Sequence, residues 1–205
     1  MTGAASGCRG WNRPCGVAAE SGNPAIAIEL ARAALRNSAE LPRLRTLALQ
    51  LAHGHALRKA GSESDRAIGQ AWEATADPAA GDGDLAGYCT PEFIRMEAAN
   101  SWVHLGKPEA AVETLLKALP LWQIEDRRDL GRGLALLAVA QARTGAADQA
   151  LEAAARPALA IASETHSSRT LRQLHRLPGE LAGSGGAGQA RELRTILHRT
   201  LRAQR

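Results

Sequence analysis

Few residues of this chain could do chemistry, and their spacing decides what each could do. Gly106-Lys107 has the look of a phosphate-loop pair, in which backbone N–H groups cradle the phosphates and the Lys reaches them. The G-x-x-x-x-G-K-[ST] frame is absent, and Pro108 stands where the magnesium-binding Ser or Thr should be. The pair therefore reads as one helix ending and another beginning. His53 and His55 in AHGH are two residues apart, which on a helix points the rings to different faces, whereas a shared metal needs i, i+4 spacing. One ring is expected to face a groove and the other to pack. His166, Ser167 and His175 fall close together in HSSRTLRQLH, but no carboxylate stands where it could orient a His against a nucleophile, so Ser167 or Ser168 reads as a helix N-cap. EDRRD at 125–129 puts acids at a helix start, where they favour the dipole and form salt bridges. Cys8, Cys15 and Cys89 are odd in number and match no disulfide framework or zinc spacing, so they read as free reduced thiols. No catalytic, cofactor or metal residues are assigned, and the chain does not read as an enzyme.

The elements that must carry these residues are helices. Apolar positions are overwhelmingly Ala and Leu, aromatics are only 3% of the 205 residues, and β-branched residues are scarce, so the fold class is all-α. No apolar run reaches the roughly 18–20 residues a spanning helix needs, and the N-terminus lacks the apolar core of a secretion signal, which implies a cytoplasmic location and no membrane partner. Net charge is +4 but uneven: from Arg169 onward there are eight Arg and two Glu, leaving the first 168 residues at −2. That basic end reads as a solvated face, since no aromatics are interleaved with it as a single-strand binder would want.

Caps mark the helix boundaries. Asn23-Pro24 and Thr90-Pro91 each place a polar N-cap before a Pro at the first helical position, where its missing N–H costs nothing. The pattern predicts helices at 17–21, 24–36, 41–60, 64–76, 91–105, 108–122, 127–144, 146–163, 167–182 and 188–203. Most links are of two to five residues, which favours antiparallel hairpins. ADPAAGDGDLAG at 76–87 reads as a long loop. The organisation expected is a disordered tail over 1–16, a helical array over 17–182, and a Gly-rich linker with a basic C-terminal helix over 183–205.

Repetition is visible within the array. Gly22, Gly61, Gly106 and Gly145, separated by 39, 45 and 39 residues, read as helix-ending turns. Each is followed by small residues: Ala27 and Ala34, Ala67 and Ala74, Ala111 and Ala118, Ala150 and then Pro157. Gly54, Ala99 and Ala138 stand seven residues before the last three glycines. Antiparallel helices packed about 8–10 Å apart leave no room for large side chains where they cross.

The stretch 93–122, FIRMEAANSWVHLGKPEAAVETLLKALPLW, resembles a tetratricopeptide repeat (TPR): small at Ala99, aromatic at Trp102, Gly106 at the turn, Ala111 and Ala118 in the second helix. The match weakens over 130–162, 44–76 and 17–36. The repeat spacing exceeds the family's about 34 residues, Pro157 replaces a small residue, and the last pair, 167–203, has lost the pattern. The run DRAIGQAWEATADPAAGDGDLAGYCTPEFIRMEAANSWVHLGKPEAAV and the closing SSRTLRQLHRL also resemble the C-terminal repeat region of actinobacterial XRE-type helix-turn-helix transcriptional regulators. In those proteins a DNA-binding helix-turn-helix precedes the repeats, and residues 1–23 here are too short and Gly-rich to hold one.

The resemblance implies a right-handed superhelix of about four to five antiparallel helical hairpins, with the first helix of each pair lining a concave groove. Carried onto this chain, it puts Leu51, His55, Arg58 and Lys59 on that face, then Phe93, Met96, Asn100, Val103 and His104, then Arg132, Ala135, Val139 and Arg143. An extended or helical peptide would suit such a groove. Met96 stands where the family's carboxylate clamp would help Asn100, which argues against chaperone-tail binding. The function expected is non-catalytic protein or peptide binding, as the sensing or dimerisation region of a bacterial regulator, with a protein or peptide ligand and a possible homodimer. Two alternatives are nucleic-acid binding through the basic C-terminal helices and structural self-association through Leu-rich faces. Direct nucleic-acid contact is not expected without an added DNA-binding module.

Overall fold

A computed structural model describes residues 14–19, 21–36, 41–75, 89–122 and 126–203, with the side chains of 41–44, 201 and 203 excepted. Most of the expected tail, including Cys8, and the expected loop at 76–87 therefore lie outside the described residues. Among the described residues there is no strand, so the chain is all-α. It divides into two compact units, Met1–Gly106 and Lys107–Arg205. None of the described helices is long and apolar enough to cross a membrane.

The first unit holds α1 (14–19), α2 (Pro24–Arg36), α3 (Leu41–Leu57), α4 (Gly61–Thr75) and α5 (Pro91–Leu105). Its core joins Cys15, Ile28, Ala31, Leu51, Ala52, Ala67, Ile68 and Ala98, with Trp72 and Trp102 packed partly against it. Helix α3 is central, meeting α2, α4 and α5. The second unit holds α6 (Pro108–Ala118), α7 (Arg127–Arg143), α8 (147–164), α9 (Ser168–Gly183) and α10 (Ala187–Ala203). Here α7 is central, meeting α6, α8 and α9, and from Gly131 to Ala142 every residue but the half-buried Leu134 is buried.

The small-residue seam is where the sequence places it. Ala27, Ala34, Ala67, Ala74, Ala99, Ala111, Ala118, Ala138 and Ala150 are all buried. Gly54 lets α3 approach α2 so closely that an added Cβ would fall 2.7 Å from Ile28 Cγ1. Gly131 on α7 stands in the same relation to Ile161 Cγ2 on α8, also at 2.7 Å.

The turns repeat one motif. At Gly22 (φ 78°), the next residue, Asn23, donates its N–H to Ala18 O while Gly22 N–H bonds Ala19 O, the paired bonds of a left-handed helix C-cap. The same pattern closes α7 at Gly145, through Ala146 N to Gln141 O, and α9 at Gly185, through Gly186 N to Leu181 O. Gly106 caps α5 with φ 77°. The expectation for Gly61 is corrected: α3 stops at Leu57, Lys59 takes the left-handed position with φ 61°, and Gly61 begins α4. The six-to-one bond from Ala60 N to His55 O holds Lys59 there despite its Cβ.

Three further differences have physical reasons. Residues 14–16, read as tail, begin α1, because Cys15 is buried in the first unit's core. The α8 helix contains a π-turn over Ala150–Ala155, in which Arg156 N–H reaches back to Leu151 O. This lies immediately before Pro157, whose missing N–H and bulky ring cannot continue a regular ladder. Finally, GSGGAG is no linker. Its Gly186 is so enclosed that a Cβ would fall 2.7 Å from Ala147 Cβ, and α9 and α10 pack as a hairpin with the same turn as the earlier ones. The boundary expected at residue 182 thus falls inside the second unit.

Candidate functional site

In the first unit, packing of α3 against α5 brings together one polar cluster. Thr90 starts α5 by accepting Phe93 N–H at 3.3 Å, with Pro91 at the first helical position. The helix then carries Asn100 and His104 one turn apart. Asn100 Nδ2 lies 3.0 Å from His53 Nδ1 on α3, within hydrogen-bond distance. The His53 and His104 rings meet edge to face, with centroids 5.1 Å apart and planes at 68°. Lys59 Nζ donates to the His104 carbonyl. Beside them, Trp102 Nε1 donates to Asp65 Oδ1 on α4 at 3.4 Å, and Arg95 lies over the Trp72 ring at 5.4 Å. His53, Asn100 and His104 are all half-buried, within reach of solvent yet ordered by one another.

The two His of AHGH do face different ways. His53 turns to α5, whereas His55 is half-buried near Arg32, Glu63, Arg58 and Arg66. Burial first, and then the Arg32 charge, push the His55 pKa below its ordinary value. Arg58 and Lys59 are exposed in the α3–α4 turn.

Several groove assignments are corrected. Met96 is 0% and Phe93 9% exposed, and Leu51 and Val103 are buried with them. In the second unit, Ala135, Val139 and Arg132 are buried too. These positions belong to the core because α5 and α7 are enclosed on most sides, so they cannot meet a ligand without repacking. Arg143 is engaged: its Nε and Nη2 grip Glu180 on α9 at 3.0 and 2.8 Å. Of the thirteen residues assigned to the groove face, the structure brings Asn100, His104 and Lys59 together, and it adds His53.

Other candidates resolve into local structure. Ser167 caps α9 by accepting Thr170 N–H at 3.5 Å, while His166 and His175 are exposed. Asp126 makes no capping bond. In the charged recess it lines with Asp129, Glu164 and His166, Arg127 pairs with Glu164 and Arg128 donates to Thr165 O. Cys15 and Cys89 are buried thiols outside any disulfide, and burial raises the Cys15 thiol pKa. Among the described residues, no three His, Cys, Asp or Glu are grouped to hold a metal. The α3–α5 cluster offers an amide, two imidazoles and an ammonium.

Comparison with family models, curated proteins and solved structures finds no match for the chain.

Proposed function

We propose that the chain is a non-catalytic peptide-binding scaffold of the tetratricopeptide type, its hairpins winding as a right-handed superhelix, that serves as the sensing or dimerisation region of a bacterial transcriptional regulator. The observation carrying this reading is the half-buried His53–Asn100–His104 cluster on α3 and α5, which are first helices of successive pairs in the repeat. Asn100 keeps its carbonyl oxygen to accept a ligand N–H, and the half-buried imidazoles of His53 and His104 stand beside it, polar groups of the kind that an extended peptide backbone can meet. The repeated turns and the buried small-residue seam support the scaffold half of the proposal, since they hold these helices at fixed register.

Selection from a displayed random-peptide library tests it. The expected outcome is an enriched sequence that binds the full chain in the micromolar range and loses about tenfold or more with Asn100→Ala, on the order of 1.4 kcal/mol. No enrichment, or binding indifferent to Asn100→Ala and His53→Ala in folded variants, would overturn the proposal.

A further inference from the structure

The last helix presents a second surface, chemically unlike the first. Along α10 the buried stripe is Ala190, Leu193 and Leu197. Flanking it at helical spacing runs an exposed stripe of Arg191, Arg194, His198 and Arg202, with exposed Arg199 on the side away from the core. Among the described residues, Arg191, Arg194, Arg199 and Arg202 make no ion pair, and the helix's one acid is turned elsewhere: Glu192 pairs with Arg156 on α8. On α9 the sole acid, Glu180, is likewise taken by Arg143 of α7. Both acids of the C-terminal hairpin thus face the preceding hairpin, and the outer face of α10 keeps its arginines without an acidic counterpart. This geometry is what sequence counting cannot supply, since it records only that two Glu accompany the Arg residues.

We infer that the outer face of α10 docks on the phosphate backbone of duplex DNA without reading sequence. Guanidinium groups match phosphate oxygens in a two-pronged geometry that a point charge lacks. From Arg191 to Arg202 the row spans about 16 Å, a length of duplex that presents about ten phosphates. An anionic membrane fits less well, because an interfacial helix needs large apolar groups on its free side. The exposed large hydrophobics among the described residues are Val17, Ile26, Leu116 and Leu121, and none is on α10. Single strands fit less well because α9 and α10 carry no Phe, Tyr or Trp for base stacking.

The test is fluorescence anisotropy of a labelled DNA duplex of about two helical turns, titrated with the full chain at several salt concentrations. With about four phosphates neutralised, log affinity should fall against log salt with a slope near −3.6, about a hundredfold between 50 and 200 mM. A duplex of scrambled sequence should bind equally. Arg191→Gln/Arg194→Gln/Arg199→Gln/Arg202→Gln should abolish most of that slope, while the corresponding four Lys substitutions should retain it. The substituted side chains are all exposed, so circular dichroism of the variants should match that of the unaltered chain. Absence of binding at low salt, binding unaffected by the four Gln substitutions, or binding to vesicles with anionic headgroups in place of the duplex would each overturn the inference. Peptide binding at the α3–α5 cluster is read separately, so failure of either proposal leaves the other standing.

Discussion

Replacing Gly54 by Ala probes the seam on which the scaffold depends. The added Cβ would lie 2.7 Å from Ile28 Cγ1, 3.5 Å from Ile28 Cδ1 and 3.5 Å from Pro24 O. Ile28 is 2% exposed, and its branched Cβ leaves essentially one side-chain rotamer in a helix, so it cannot swing aside without moving α2. Gly69, inside α4, supplies the control, for nothing lies within 4 Å of its added Cβ. Both substitutions gain the same backbone term, about 1 kcal/mol in a helix interior. Only Gly54→Ala incurs overpacking, about 1–3 kcal/mol. Gly69→Ala should therefore stabilise the chain by about 1 kcal/mol, and Gly54→Ala should leave it between unchanged and about 2 kcal/mol weaker. At about 2–4 °C per kcal/mol for a chain of this size, the melting midpoints should separate by at least about 2 °C. Thermal and urea unfolding followed by circular dichroism reads the difference. Equal stabilisation by both substitutions would refute the reasoning, and Gly131→Ala, facing Ile161, repeats the test in the second unit.

Other perturbations follow from the turns, the histidines and the ion pairs. Gly145 sits at φ 82°, so Gly145→Ala should cost about 1–2 kcal/mol, whereas Lys59→Gly, relieving φ 61°, should raise the melting midpoint; two shifts of the same sign would contradict the assignment of the turns. His55 has a folded-state pKa below its ordinary 6.5, so the unfolded chain takes up the proton first. Its stabilising contribution is complete above about pH 6.5 and is lost as pH falls from there toward the folded value. The midpoint should drop less on acidification in His55→Gln than in the unaltered chain, and identical pH profiles would rule this out. The two-pronged Arg143–Glu180 pair is about one-third exposed on each side, so a double-mutant cycle should give a coupling of no more than about 1 kcal/mol that shrinks in salt. A larger coupling, insensitive to salt, would argue against solvent screening of that pair.

Features that act locally were legible in the sequence. Thr90-Pro91, Pro108, Gly22, Gly106 and Gly145 encode caps and turns through their own side chains or their lack of one, and the structure bears each of them out. Lys59 was not legible, because a non-glycine residue in the left-handed region carries no compositional sign, whereas Gly61, two positions later, does carry one. GSGGAG has the composition of a flexible linker and of a tight turn alike. Only contacts distant in sequence, such as Gly186 against Ala147, separate the two. The groove residues illustrate a harder limit. Helices α3 and α5 are buried on most of their circumference, so periodicity singles out no face, and Met96 and Phe93 could not be told from Asn100 and His104. The partnership of His53 with Asn100 spans 47 residues and depends on how α5 packs against α3.

The most direct measurement is NMR of the imidazole nitrogens of His53 and His104 and the side-chain amide of Asn100, during titration of the full chain with a library-selected peptide. The account predicts saturable shifts at all three, with one common affinity, and no shift at the exposed His175 or His198 on the C-terminal helices. A peptide that binds while leaving the His53, Asn100 and His104 signals unmoved would contradict it.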